Sequence, residues 1–266
     1  MHTYSQWKTR ANKYASLLST GLRFIKVTID GETRLSLPRR LHRAYWAGDH
    51  ADKDLIAFLA RHTRGGLFVD IGANIGIYTM SILARSGAAS GAIAFEPCAA
   101  TFRLLGENLS LNHIDNAQCE CIALSSADAE ILLTAYGNGA NNFWLRTETS
   151  SVPSMRVSTT TLDSYCHTHN LRPTAVKIDV EGHEYEVLKG AECLLRSTHP
   201  ALVVECHCAS WPEFGVRPDE VTEFLRDVGY ETLSGRYGEV IDLNECRDTV
   251  HLCLSEGVPR NTASRT

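Results

Sequence analysis

The chain has 266 residues, 44% of them apolar, and a formal net charge of −5 at neutral pH. This length and composition predict one large α/β core with short additions, and the acidic balance argues against a nucleic-acid partner. No run of 18 apolar residues marks a membrane span and no signal-peptide core opens the chain, so we expect a cytoplasmic protein.

The N-terminal end is basic, in contrast to the rest of the chain. Residues 1–43 carry nine lysines and arginines against two acids, a net charge of +7. Apolar residues recur there at helical spacing, namely Trp7, Ala11, Tyr14, Leu18 and Leu22. One interpretation is a helix that lies on an anionic membrane surface. The other, which we favour, is a helix that packs its apolar stripe on the core.

A hairpin and a helix are predicted next. The runs Phe24–Ile29 and Arg34–Leu37 flank a turn at residues 30–33, which is typical of a hairpin, and a helix is predicted over Asp52–His62. The organisation is therefore an N-terminal helix and hairpin extension (1–50), a main domain (51–255) and a disordered tail (256–266).

The most informative segment is an apolar run that ends in an acid and a glycine turn. Leu67–Ile71 is continuously apolar apart from Asp70, which is typical of a strand buried on both faces. Gly72 and Gly76 follow, and the residues after Gly76 have helical spacing. Small residues at a strand-to-helix turn let a ligand approach the backbone and the helix N-terminus. This pattern predicts a nucleotide-type pocket.

The next βα unit indicates which nucleotide binds. A second apolar strand, Ala92–Phe95, ends in Glu96, a carboxylate placed to hold the two hydroxyls of a ribose. A nicotinamide dinucleotide fold would need a second glycine where this chain has Asn74, and Asp70 would repel a pyrophosphate. The amino group of S-adenosylmethionine suits Asp70 better, so we expect that cofactor.

The rest of the chain continues the alternation of strands and helices. The segment Tyr136–Arg156 lacks a clear period and predicts a loop or short irregular strands. The other predicted elements are strands over Cys119–Leu124, Ala175–Asp179, Ala201–Glu205 and Thr249–Leu254, and helices over Ala99–Leu111, around Tyr185 to Leu195, and over Asp219–Val228. Such alternation predicts a doubly wound, mainly parallel sheet.

Nine cysteines are scattered along the chain, an odd number that mostly falls in apolar patterns. This distribution is typical of reduced, buried thiols rather than a disulfide framework. The pair Cys119 and Cys121 and the run Cys206-His207-Cys208 lack a partner pair at zinc spacing, so no structural zinc is predicted.

Several motifs occur together in an order that resembles the FkbM-type methyltransferases. They are Asp-Ile-Gly-Ala-Asn-Ile-Gly (70–76), Ala-Phe-Glu-Pro (94–97), Ala-Leu-Ser (123–125), Thr-Thr-Leu-Asp (160–163), Lys-Ile-Asp-Val-Glu-Gly-His-Glu (177–184) and Val-Leu-Lys-Gly-Ala (187–191). The resemblance implies a class I, Rossmann-like methyltransferase fold with seven strands and O-methylation that depends on S-adenosylmethionine. The cofactor residues that we infer are Asp70, Gly72, Ala73, Asn74, Gly76, Glu96 and Ser125.

The chemistry is expected where the later strands end. Asp179 and Glu205 each terminate an apolar strand, and Lys177 shares a face with Asp179 by period-two alternation. Methylation of a hydroxyl needs a base or a metal to remove the proton. Asp179, Glu181 and His183 are the candidate bases. A magnesium ion held by Asp179 with Glu205 or Glu181 is the alternative, which the sequence leaves undecided.

The function predicted from the sequence is methylation of a hydroxyl on a sugar, a glycan, or a glycosylated or polyketide natural product. The partner would then be this small-molecule or glycan acceptor, with no nucleic acid involved. Two alternatives stay open at this point: a nicotinamide oxidoreductase, and a catalytically silent scaffold with a methyltransferase fold. The sequence specifies neither the acceptor nor an oligomeric state.

Overall fold

A computed structural model describes residues 24–29, 31–38, 52–135, 143–145 and 154–255. The predicted helix near the N-terminus, the tail 256–266 and most of the segment 136–156 lie outside the described residues. The chain divides into two compact units, residues 1–121 and 122–266. None of the helices within the described ranges has the length and apolar character needed to cross a bilayer.

The first unit opens with the predicted hairpin, which is confirmed. Strands β1 (Phe24–Ile29) and β2 (Thr33–Pro38) pair antiparallel, with Ile29 opposite Thr33. Gly31 lies in the turn with a φ of 79°, a conformation that favours glycine. Alternate residues of the hairpin, such as Leu35 and Leu37, are buried, so one face packs on the core.

The body of the first unit consists of three helices and three strands in alternation. They are α1 (Lys53–Thr63), β3 (Leu67–Ile71), α2 (Ile77–Ser86), β4 (Gly91–Phe95), α3 (Ala99–Leu111) and β5 (Ala117–Glu120). The strands are parallel in the order β3-β4-β5. In β3 and β4 every residue after the first is buried, which explains their continuous apolar runs.

The second unit begins with a small sheet that the sequence predicted only in part. Its strands are β6 (Ala123–Leu124), β7 (Ala129–Ala135), β8 (Phe143–Leu145) and β9 (Ser154–Thr160), in the order β6-β9-β7-β8. Ala123, Leu133 and Val157 form its core. The prediction of one strand over Cys119–Leu124 is wrong, because the chain leaves the extended ladder between Glu120 and Ala123.

The second unit continues as an α/β structure. Its elements are α4 (Leu162–His169), β10 (Ala175–Ile178), α5 (Glu184–Lys189), α6 (Glu192–Thr198), β11 (Ala201–His207), a 3₁₀ turn (Trp211–Phe214), α7 (Pro218–Asp227), a second 3₁₀ turn (Leu243–Glu245) and β12 (Thr249–Leu254). β10 and β11 are parallel, and β12 is antiparallel to β11 with His251 opposite Glu205.

The predicted α/β class with mainly parallel strands is confirmed. The described residues supply six strands of the main α/β structure, three in each unit, of which five pair in parallel and β12 is antiparallel; the resemblance implied seven strands. An isolated bridge between Gly235 and Leu252 stands beside β12 where a further strand would lie. A second bridge, between Ser234 and Val240, closes a tight turn there, with Gly238 at a φ of 83°. Pairing of these residues is limited to the two isolated bridges, so they form no full strand.

The structure corrects the expectation that the thiols are reduced. Cys208 and Cys246 form a disulfide, with their Cα atoms 6.1 Å apart. Their separation of 38 residues gives no sequence signal, because the pairing depends on how the chain after β11 meets the second 3₁₀ turn. Four of the other cysteines are buried as predicted: Cys98, Cys119, Cys166 and Cys206.

Candidate functional site

In the first unit the glycine loop between β3 and α2 is held against β4. The backbone N–H groups of Gly72 and Ala73 both donate to the carbonyl of Phe95, at 3.0 and 2.9 Å. Gly72, Asn74 and Gly76 have left-handed φ values of 78°, 50° and 87°. Glycine adopts this left-handed backbone without strain, which explains its presence at two of the three positions.

Gly76 also has a packing role. A Cβ atom at this position would lie 2.5 Å from Cδ1 of Leu105 on α3. The second glycine of the motif is therefore needed for close packing of the loop on that helix, in addition to any role in binding.

Glu96 and Asp70 both lie beside this loop but differ in their hydrogen bonds. Glu96 Oε2 accepts from the N–H of Asn74 at 3.0 Å, and Oε1 accepts from the N–H of Cys98 at 2.9 Å. A carboxylate accepts about four hydrogen bonds, so holding the loop is compatible with holding a diol. Asp70 is fully buried, and its Oδ2 accepts from the Thr79 hydroxyl at 2.5 Å. Asp70 thus ties the strand to α2.

In the second unit Lys177 and Asp179 form the predicted pair at the end of β10. The ammonium of Lys177 lies 2.8 Å from Oδ2 of Asp179, and the lysine side chain is only 2% exposed. Burial raises the pKa of Asp179, and Lys177 opposes that shift. Sequence alternation had placed both side chains on one face, and the structure confirms that placement.

The turn after Asp179 has an unusual backbone. Glu181 has a φ of 56°, rare for a residue with a side chain, and Gly182 follows with a φ of 108°. A Cβ at Gly182 would lie 2.8 Å from Cβ of Ser210. Burial also raises the pKa of Glu181. This turn holds a partly buried carboxylate in a strained conformation, a feature associated with functional sites.

Glu184 is the centre of the site, and the sequence analysis did not single it out. Its side chain has no exposed surface. Oε1 accepts from the N–H of Gly182 at 2.7 Å and contacts Nδ1 of His207 at 2.9 Å, while Oε2 accepts from the indole N–H of Trp211 at 2.8 Å. Glu184 therefore joins the β10 turn to the end of β11.

His207 lies among carboxylates. Its Nε2 is 3.4 Å from Oε2 of Glu181 and 3.8 Å from Oε1 of Glu205. Burial alone would lower the pKa of His207, but the hydrogen bond to Glu184 and the surrounding acids raise it from 6.5 to about 9. The ring is therefore protonated at neutral pH. His207 shares a face of β11 with Glu205, as alternation along a strand requires.

A second histidine extends the cluster towards the edge of the unit. His251 Nε2 lies 3.3 Å from Oε2 of Glu205, and its Nδ1 lies 3.1 Å from a guanidinium nitrogen of Arg236. Burial opposes ionisation of Glu205, but the hydrogen bond from His251 and the charge of Lys177 outweigh it and lower the pKa from 4.5 to about 2. Glu205 is thus a stable anion.

The predicted residues His183 and Ser125 contact each other. Nε2 of His183 lies 2.9 Å from the hydroxyl of Ser125, and burial lowers the pKa of the histidine. Gly190 packs on the same backbone, since a Cβ there would lie 2.0 Å from the carbonyl oxygen of Ser125. The role of His183 as a base stays a prediction. The assignment of Ser125 to the cofactor stays a prediction.

Three groups in the cluster could offer atoms to a metal ion. One atom each from Asp179, Glu205 and His207 lie within 4.8 Å of one another. Asp179 is already paired with Lys177, and a protonated imidazole has no lone pair for a metal. A cation would have to displace both the ammonium and a proton. The set therefore does not fit a magnesium ion at neutral pH.

Comparison with known proteins identifies the family. The model of the methyltransferase FkbM domain matches residues 70–232. The hexuronic acid methyltransferase AglP of Haloferax volcanii is 32% identical over 186 residues, which is 68% of this chain and 67% of that protein. Methyltransferase 1 of Beauveria bassiana is 28% identical over 144 residues, 47% of this chain and 57% of that protein.

Among solved structures, the FkbM methyltransferase of Methylobacillus flagellatus superposes with a TM-score of 0.47 at 15% identity, covering 71% of this chain and 43% of that one. The chain thus spans less than half of that protein and just over half of the Beauveria one. The family match includes the glycine loop, Glu96, the β10 turn and the histidine at the end of β11. The chain belongs to the FkbM methyltransferase family.

Proposed function

We propose that this chain transfers the methyl group of S-adenosylmethionine to a hydroxyl of a sugar or glycan, or of a glycosylated or polyketide natural product. The observation that carries the proposal is the 32% identity, over 68% of the chain, to an enzyme whose name specifies methylation of a hexuronic acid. A sugar hydroxyl is therefore the acceptor we favour.

The glycine loop of the first unit supports the cofactor assignment. The loop turns through left-handed backbone at Gly72, Asn74 and Gly76, and Glu96 holds it through the N–H of Asn74. S-adenosylmethionine, when bound, supplies an electrophilic methyl group on a positively charged sulfur. Glu96 would accept the hydrogen bonds of its ribose hydroxyls, and the N–H groups at the start of α2 would face its polar end.

The second unit supports removal of a proton from the acceptor. In the reaction the acceptor oxygen bonds to the methyl carbon, the carbon–sulfur bond breaks with its electrons going to sulfur, and the hydroxyl proton goes to a carboxylate. Asp179 and Glu181 suit that task, because burial raises both pKa values towards neutrality. His183 suits it less, because its Nε2 is engaged by Ser125.

Calorimetry and a methyl-transfer assay test the proposal. Titration with S-adenosylmethionine, S-adenosylhomocysteine and NAD should show binding of the first two alone. The assay follows formation of S-adenosylhomocysteine with hexuronic acid glycosides, neutral glycosides and hydroxylated polyketides, each with and without EDTA. Binding of NAD but not of S-adenosylmethionine would refute the proposal. Loss of turnover in EDTA, with recovery on addition of magnesium, would show that the acid cluster holds a metal after all.

A further inference from the structure

The proposed mechanism does not use Glu184 and His207, the two side chains that join the β10 turn to the end of β11. We propose that Glu184 and His207 are positioning residues: Glu184 fixes the imidazole of His207, and His207 orients the carboxylates of Glu181 and Glu205 towards the acceptor. Only the claim that the carboxylates face an acceptor rests on the proposed function. The arrangement of the two side chains is testable without any substrate.

Glu184 can hold the imidazole in only one orientation. Both of its oxygens are occupied, because Oε1 accepts from the N–H of Gly182 and from His207, and Oε2 accepts from Trp211. A carboxylate only accepts, so Nδ1 of His207 is the donor. Nε2 must then face the opposite direction, where Glu181 and Glu205 lie. A buried acid with three donors is a rigid support.

Charged groups from several elements face His207. Glu184 comes from α5, Glu181 and Asp179 from the turn after β10, Lys177 from β10, Glu205 from β11 itself, and His251 from β12 through Glu205. Acids outnumber the cations of Lys177 and His207 in this group. A protonated His207 therefore compensates negative charge that would otherwise repel the carboxylates from one another.

The consequence for the reaction concerns the carboxylate that takes the proton. His207 favours the ionised forms of Asp179 and Glu181, opposing the effect of burial on each pKa. Without His207 both carboxylates would keep their protons up to a higher pH, and Glu181 would lose the charged contact at 3.4 Å that holds its side chain. A merely structural histidine would lower stability when replaced but would leave the pH dependence of turnover unchanged. These two roles are thus separable by experiment.

The first experiment follows the histidine rings by nuclear magnetic resonance as a function of pH. The His207 signal is assigned by its absence in His207→Gln. In the wild-type protein the ring should stay doubly protonated up to about pH 9, and in Glu184→Gln its midpoint should fall towards 6.5. The control is His167→Gln, which replaces an exposed histidine of α4. An unchanged His207 midpoint in folded Glu184→Gln would overturn the role of Glu184.

The second experiment measures kcat and KM against pH with a hexuronic acid glycoside. His207→Gln should lower kcat on the order of tenfold and move the rising limb of the profile to higher pH, with binding of S-adenosylhomocysteine unchanged. The double variant Glu184→Gln/His207→Gln should be no worse than the more damaged single variant, since the two act as one unit.

The outcomes separate this inference from the proposed function. If wild-type protein does not methylate the glycoside, the choice of acceptor is wrong, yet the ring titration still decides whether Glu184 holds His207. If Glu184→Gln does not fold, the test of the positioning role rests on His207→Gln alone. This variant replaces a side chain that is 14% exposed. A His207→Gln enzyme with normal kcat and an unshifted pH profile would overturn the positioning role.

Discussion

The two regions that carry candidate function hold their carboxylates in different ways. In the first unit the contacts of Asp70 and Glu96 described above come from neutral donors, a threonine hydroxyl and two backbone N–H groups. In the second unit Asp179 is paired with an ammonium, and Glu205 lies between two histidines.

This difference predicts how each region responds to a change of pH. Neutral donors keep the same hydrogen bonds over a wide range of pH, so the loop of the first unit should be insensitive to pH near neutrality. The cluster of the second unit depends on a protonated imidazole and should change as that proton is lost. A rigid loop suits a cofactor site, and a titratable cluster suits a site of proton transfer.

Glycine substitutions should show the largest effect and the clearest contrast. Gly190→Ala in the second unit would place a Cβ 2.0 Å from a backbone oxygen of Ser125, which cannot move aside, and should cost about 3 kcal/mol of unfolding free energy. Gly76→Ala in the first unit meets the end of the Leu105 side chain and a left-handed φ, so about 1–2 kcal/mol is expected. Urea unfolding measures both. A larger loss of unfolding free energy in Gly76→Ala than in Gly190→Ala would contradict this comparison.

Asp179→Asn should separate chemistry from cofactor binding. The change keeps the shape but removes the charge that pairs with Lys177. We expect turnover to fall on the order of 10²-fold, about 2.7 kcal/mol, while binding of S-adenosylhomocysteine is retained. Asp128→Asn, at an exposed position of the same unit, is the matched control. Near-normal turnover in Asp179→Asn would move the base to Glu181 or elsewhere.

The stability contributed by His207 should depend on pH. Its pKa is raised in the folded state, so this stabilisation is fully present below pH 6.5 and is lost as the pH rises through about 9. The difference in unfolding free energy between wild type and His207→Gln should shrink by about 2 kcal/mol across that window, allowing for screening at a partly exposed ring. The destabilisation caused by Glu96→Ala should stay constant over the same range. A pH-independent difference for His207→Gln would contradict the assigned charge.

Glu96→Ala should give the smallest of these effects. It removes the acceptor of two backbone N–H groups and the proposed partner of the ribose hydroxyls. Binding of S-adenosylhomocysteine should weaken at least about tenfold, or about 1.4 kcal/mol, in a folded protein. Glu120→Ala, at the end of the neighbouring strand, is the control. If calorimetry gives Glu96→Ala and the wild type equal affinities for S-adenosylhomocysteine, Glu96 does not hold the ribose.

Sequence patterns predicted the first unit better than the second for a physical reason. Asp70, the glycine loop and Glu96 lie within two adjacent βα units, where strand and helix periodicity place each residue. The pair Lys177 and Asp179 also followed from local alternation. Each of these features depends on neighbours a few positions away.

The features that the sequence analysis missed depend on distant pairings. Glu184 and His207 are 23 residues apart and meet only because α5 packs beside the end of β11. The hydrogen bond between Ser125 and His183 joins residues 58 positions apart. No periodicity carries such information, since it concerns how elements dock rather than what they are.

The disulfide described above has a consequence for the covalent integrity of the second unit. It closes a loop from Cys208 to Cys246 that includes the helix Pro218–Asp227 and the turn at Gly235. A protease that cuts once within this loop would leave both pieces joined, so the chain would migrate intact until a reductant separated it into two fragments. The end of β11, with His207 next to Cys208, would stay tethered to the second 3₁₀ turn even after such a cut.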